Sequence, residues 1–320
     1  MKICITGASG FIGSAIVESL KSSGITPLLL ARNRPSVAGD LETEEIDLES
    51  LSSFDSRVLN GYDALIHTAA RAHIMKDEAL DPLVEYRRIN CDAVLELAKL
   101  AAGAGVGRFV FLSSIKVNGE LTKPGKSFVA DSYYTPDDPY GLSKYEAEKG
   151  LLEIAKNSDM EVVIIRPPLV YGPGVKGNFA SMISWIKKGI LLPFGAIHNK
   201  RSLVALDNLV DFIILCARRD KSPKAANEVF LISDGKDVST SELLRRVAES
   251  YGVKSRLMPV PVSWMRFVAK ILGKGDISDR LFGNLQVDSS KARELLGWNP
   301  VINMDKQLEK MAEFDKGKSE

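Results

Sequence analysis

Three residues of this chain could together move a proton to or from a carbon-bound oxygen. Tyr140 and Lys144 stand four apart in Tyr140-Gly141-Leu142-Ser143-Lys144, and on a helix that spacing puts both on one face. An ammonium beside a phenol stabilises the phenolate. The pair is therefore expected to bring Tyr140 down from its usual pKa of about 10 towards working pH, as a general acid/base requires. Ser114 follows the apolar run 109–112 and could hold the oxygen whose proton Tyr140 handles. Tyr-x-x-x-Lys alone also occurs as a surface pair; serines at a strand end give it weight.

A second unit of chemistry opens the chain. Strand-like residues 2–5 lead into Thr6-Gly7-Ala8-Ser9-Gly10-Phe11-Ile12-Gly13, which continues with helical periodicity. In strand–turn–helix context, Gly7 permits a tight turn, Gly10 lets the backbone approach a pyrophosphate, and Gly13 lets helix and strand pack closely. The helix N-terminus offers oriented N–H groups from the same stretch, Ser9 to Gly13. The motif predicts a bound dinucleotide. Where an acidic residue after the second strand would select NAD, the sequence has Arg32 and Arg34, which tilts the expectation to NADP over NAD. Asp47 and Leu48 are placed to meet the adenine ring.

These groups need a scaffold. Short apolar runs at 3–5, 27–30, 64–67, 109–112 and 162–165 alternate with helical periods at 11–23, 83–102 and 140–156. Strands without polar alternation are buried on both faces, so the expectation is an α/β Rossmann doubly wound parallel sheet. Residues 115–139 read as a long loop covering the site. Past Arg166 the pattern loosens, with helices at 179–188 and 207–218, one more strand at 228–232 returning to the sheet, and short helices and turns over 240–320. The division expected is a dinucleotide-binding part, 1–166 plus about 201–232, and a smaller α/β substrate-binding region, 167–200 and 233–320.

Composition narrows the function classes. With 42 Lys+Arg against 41 Asp+Glu, the chain lacks the basic excess that nucleic-acid binding leaves. No leader or apolar run of spanning length is visible, so a cytoplasmic protein without membrane insertion is expected. Cys4, Cys91 and Cys216 lie apart in apolar segments and read as buried thiols. His67, His73 and His198 lack ligand spacing, so no metal is expected. Residues 262–274 read as a helix capping the substrate pocket, with a basic amphipathic membrane-surface helix as the alternative.

Taken together, the glycine turn, Asp47, Ala69-Ala70-Arg71, Asn90, Ser114, Tyr140, Lys144 and the run from Arg166 through Pro167 and Pro168 to Gly174 resemble the extended short-chain dehydrogenase/reductases, the NAD-dependent epimerase/dehydratase family. The resemblance covers nearly the whole chain. It implies dinucleotide contacts from Ala69, Ala70, Arg71, Asn90 and Pro167 as well as Tyr140 and Lys144. It also implies a UDP-sugar held by Ser114, Lys116, Asn178, Leu192, Pro193, Phe194, Arg201 and Arg280, the two arginines on the diphosphate. A homodimer through helices 83–102 and 140–156 is implied as well.

Within the family, Asn118 stands where epimerases carry Tyr, and Pro168 where galactose epimerases carry Asn. The run 113–120 with Asn118 resembles the branch that includes UDP-4-keto-6-deoxy-N-acetylhexosamine 4-reductases, and both departures weigh against a literal epimerase. That ketoreductase is the expected activity, with a UDP-glucose or UDP-N-acetylglucosamine 4-epimerase holding NAD tightly as the alternative. A 4,6-dehydratase would need an Asp-Glu pair where Ile115-Lys116 stand, and a non-catalytic dinucleotide sensor would usually lack the Tyr/Lys pair.

Overall fold

The structure, a computed structural model, describes residues 1–71, 81–132, 134–271, 273 and 275–317, without the side chains of 276, 277 and 280. Its first half alternates strand and helix. In order come β1 (Ile3–Thr6), α1 (Phe11–Ser22), β2 (Leu28–Ala31), β3 (Thr43–Glu45), β4 (Ala64–His67), α2 (Pro82–Arg87), α3 (Ala93–Gly103), β5 (Arg108–Leu112), α4 (Pro139–Lys156) and β6 (Glu161–Arg166). Then follow β7 (Leu169–Tyr171), α5 (Gly177–Lys187), β8 (Leu203–Ala205), α6 (Leu206–Ala217), β9 (Glu228–Leu231), α7 (Thr240–Ser250), α8 (Val262–Ile271), α9 (Gly275–Phe282), α10 (Ser290–Leu296) and α11 (Met304–Gly317).

Seven strands form one sheet in the order β3-β2-β1-β4-β5-β6-β9, every pair parallel. The doubly wound parallel sheet is therefore as expected. Residues of β1, β4 and β5 are buried along their whole length, because alternate side chains enter two different cores. Ile3, Ile5, Ala64 and Ile66 pack with α1 and α6, while Cys4, Leu65, Phe109 and Phe111 pack with α3 and α4. Helix α1 buries Gly13, Ile16, Val17 and Leu20, an i, i+3, i+4, i+7 stripe; each of its large apolar side chains contributes roughly 1.5–3 kcal/mol. All three cysteines are buried and free.

Parallel strands have a functional consequence. The C-terminal ends of β1, β4, β5 and β6 all lie along one edge, where ligands of such sheets bind.

Three features depart from the sequence reading. Strand β3, Thr43-Glu44-Glu45, carries no apolar signal, since the sheet edge tolerates polar side chains. Strands β7 and β8 pair as a separate two-stranded sheet in a stretch that prolines and glycines made look irregular. The helix expected over 83–102 is interrupted: between α2 and α3 one π-helical turn, Arg88–Asp92, inserts an extra residue and turns Asn90 inward.

Loop 115–139 is pinned at two places. Thr122 pairs with Asn284 and Phe128 with Val287, so the C-terminal part holds the loop over the sheet edge.

Candidate active site

The glycine turn fits a dinucleotide. Gly7 has φ +78°, and a Cβ there would lie 2.5 Å from Ala69 N; a Cβ on Gly13 would lie 2.1 Å from Gly7 O. Side chains are thus excluded at both positions by backbone. Helix α1 starts at Phe11 with Gly10 as its cap, no capping side chain and no acidic residue in its first turn. First-turn N–H groups have no intrahelical acceptor, and nothing here competes with a phosphate for them. Ser9 and Gly10 are exposed and Phe11 and Ile12 half-buried.

Next to this cradle, β4 ends in His67, whose Nδ1 lies 2.8 Å from Thr6 Oγ1. Ala69, Ala70 and Arg71 continue from it. Asn90 accepts from the Arg71 N–H at 2.8 Å, donates to the Arg71 carbonyl at 3.0 Å, and reaches Ser143 Oγ at 3.2 Å. It braces the loop after β4 against α4. Its π-helical turn aims it there.

The Ser-Tyr-Lys group assembles at the ends of β5 and α4. Beyond β5 the backbone stays paired with β6, through Ser113 N–H to Ile165 O (2.8 Å) and Ile115 N–H to Pro167 O (3.0 Å). Ser114 then caps the turn Ile115–Val117. Asp138 caps α4 by accepting from Gly141 N–H at 3.1 Å and holds Lys116 Nζ at 2.9 Å. A Cβ on Gly141 would lie 2.5 Å from Asp138 Oδ2 and 3.2 Å from Lys116 O. The bare Gly141 thus lets the Ser114–Lys116 turn approach Tyr140.

Burial works against the expected lowering of Tyr140. Burial pushes the Tyr140 phenol up to about 12, although a hydrogen bond with Ser114 pulls it the other way. Lys144 is fully buried, donates to Leu112 O at 3.1 Å and sits 4.4 Å from the centre of the Phe111 ring. Burial takes it down from 10.5 to about 7, countered by Glu148. A desolvated amine near neutrality is not the fixed cation that would lower a phenol. Lys116 is the ammonium over the Tyr140 ring, 5.9 Å from its centre. At neutral pH the structure therefore presents Tyr140 as an acid with its proton in place.

Lys144 links the site to stability. The unfolded chain keeps this proton to about 10.5 and the folded chain only to about 7. Between those values the unfolded state binds more protons, so stability rises with pH. In urea unfolding of the dinucleotide-free protein, Lys144→Met is expected to remove this rise. Parallel stability–pH curves for the two proteins would refute the burial argument.

Sequence reasoning missed the network behind Ser114. Glu148, 2% exposed, accepts from the Ser113 hydroxyl and from Arg166 Nε at 2.9 Å. Arg166 also donates to Asn118 Oδ1 (3.0 Å) and Ala130 O (3.2 Å), and Asn118 donates to Val129 O (2.9 Å). Asn118 is thus a buried bracket for Arg166. One signal was legible: Tyr140, Lys144 and Glu148 follow each other at i+4.

Other expected site residues stand apart from this group. Arg34 donates to Gly39 O (2.7 Å) and Leu41 O (2.9 Å) and to Thr43 Oγ1 (3.3 Å), closing its own loop; Arg32 is exposed at the end of β2. Asp47 is exposed and accepts from Glu49 N–H at 3.1 Å, while Leu48 packs on the core. Leu192 is a core residue bridged to Leu257, so its side chain packs inward. Asn178 is exposed in the first turn of α5, and Pro193 is half-buried. Phe194 meets Phe282 edge-on, with ring centres 6.4 Å apart. Arg201 is half-buried, and burial lowers its pKa. Arg280 belongs to α9, but its side chain lies outside the described part, as does His73.

Comparisons with known proteins match this geometry. The chain is 46% identical over 314 residues to a UDP-glucose 4-epimerase of Vibrio cholerae, covering 97% of this chain and 94% of that protein. It is 27% identical to the N-acetyl-alpha-D-glucosaminyl-diphospho-ditrans,octacis-undecaprenol 4-epimerase of Escherichia coli O157:H7, covering 85% and 81%. A solved UDP-glucose 4-epimerase of Thermotoga maritima shares the fold over the full length of both chains, with TM-score 0.78 at 24% identity. A family profile described as "NAD dependent epimerase/dehydratase family" matches residues 3–232. With the glycine turn and the Ser-Tyr-Lys group on one sheet edge, that match makes the chain an enzyme of the NAD-dependent epimerase/dehydratase family.

Proposed function

We propose that this enzyme exchanges hydride at C4 of a nucleotide sugar, and that it works as a 4-ketoreductase of a UDP-4-keto-6-deoxy-N-acetylhexosamine. The observation that carries the proposal is the convergence of Ser114, Tyr140 and Lys144 with the Gly7 turn on the C-terminal edge of one parallel sheet. When bound, the nicotinamide supplies or takes the hydride. Tyr140 gives the C4 oxygen its balancing proton in the reducing direction and takes it in the oxidising one, and Ser114 orients that oxygen. A phenol that keeps its proton at neutral pH suits reduction. Arg201, a partly desolvated guanidinium, suits the diphosphate, and Arg280 is assigned to it by resemblance alone. The division at Arg166 and a homodimer through α2–α4 belong to the same proposal.

Two observations favour a second reading, a 4-epimerase with retained NAD. The Vibrio cholerae relative carries that name, and Arg34 is committed to its loop, leaving only Arg32 in support of NADP. The nucleotide released on denaturing the purified protein separates the two. An empty protein that binds NADPH more tightly than NADH supports the reductase; near-stoichiometric NAD refutes it and supports the epimerase, whose hydride is returned in place.

A further inference from the structure

Helix α8 buries none of its side chains completely. Val262, Met265 and Ala269 are half-buried and share one side of the helix, which packs against α9. On another side Trp264, Phe267, Val268 and Ile271 recur at i, i+3, i+4 and i+7 and are 69%, 64%, 49% and 68% exposed. Four large apolar side chains aligned and open to water call for an occupant. Leading towards α8, Met258 is also exposed, and Leu257 pairs with Leu192 next to exposed Ile190 and Leu191.

Charge selects the occupant. Residues 176–192 and 251–274 together hold eight lysines and arginines and no aspartate or glutamate, in a chain with 42 basic and 41 acidic residues. Arg266, which pairs with Asp279 of α9 at 3.8 Å, and Lys270 are exposed on the polar side of α8. A second copy would oppose like charge to like. An anionic bilayer accepts both features: tryptophan and phenylalanine sit at headgroup depth, and lysines and arginines meet lipid phosphates. Among the described residues no helix is long and apolar enough to cross a membrane, so the mode is surface docking.

We propose that the apolar stripe of α8, with its basic flanks, docks this enzyme on the surface of an anionic membrane. The test is co-sedimentation of the purified protein with phosphatidylcholine vesicles, with or without about one third phosphatidylglycerol. The expected result is about tenfold more protein on the anionic vesicles, reversed by about 0.5 M salt. Trp264→Ser with Phe267→Ser, and separately Lys270→Glu, should weaken that binding while leaving the unfolding midpoint in place, since these side chains are exposed. Absence of binding to either vesicle, or unchanged binding by the variants, overturns the proposal. So does a concentration-dependent dimer abolished by the Trp264 and Phe267 changes without any vesicle binding, which would give the stripe to a second copy.

Discussion

Tyr140→Phe is expected to lower turnover by about 10²–10⁴-fold while leaving dinucleotide affinity within about twofold of the parent. The phenol oxygen is the atom removed, and it is the group placed to pass a proton at the candidate site, hydrogen-bonded with Ser114. The ring itself remains, so its edge-on contact with Tyr86, 5.9 Å between centres, survives. The cradle for the dinucleotide is built from backbone at Gly7 to Gly13 on a different strand, so binding should be spared. Steady-state kinetics with titration of the dinucleotide checks both halves. Full turnover in the variant would remove Tyr140 from the chemistry; lost binding would mean that the phenol holds the dinucleotide.

The second large effect concerns folding. Glu148→Ala should cost about 3–5 kcal/mol in urea unfolding, because it leaves Arg166 as a buried cation. The side chains are 3% and 8% exposed, so neither charge has water to fall back on. Replacing both, Glu148→Leu with Arg166→Met, should recover most of the loss, since a well-packed apolar pair avoids desolvating charges. The double variant should still turn over more slowly. Arg166 holds Asn118 and Ala130, and Glu148 holds Ser113, so the backbone that carries Ser114 loses its anchors. Four unfolding curves, for the parent, Glu148→Leu, Arg166→Met and the double variant, close the cycle that gives the coupling energy. A cost below about 1 kcal/mol for the single change would show that the network adds little to the fold.

The candidate site was legible where chemistry and local geometry coincide. Gly7 and Gly13 were readable because backbone contacts there exclude a Cβ, Gly10 because it caps α1 beside them, and Tyr140, Lys144 and Glu148 share a helix face through spacing alone. Less legible was the electrostatics. The expectation that Lys144 lowers Tyr140 treated both as partly solvated, whereas the helix buries the amine completely against Phe111 and Leu112. Arg34 was assigned a ligand by its place after β2, and folding gives it the carbonyls of its own loop. The inward packing of the Leu192 side chain was not legible either, since its neighbours come from far along the chain.

By itself the sequence determined the strand and helix periods of the sheet, the bare glycines of the turn after β1 and the shared helix face of Tyr140 and Lys144, because each depends on residues within a few positions of one another. Only the tertiary structure decided the protonation of Tyr140 and Lys144, the bracket through Glu148, Arg166 and Asn118, and the pinning of loop 115–139 by residues 284–287. Those depend on burial and on partners brought together from far along the chain. Desolvation is a property of the packed whole, and no local pattern encodes it.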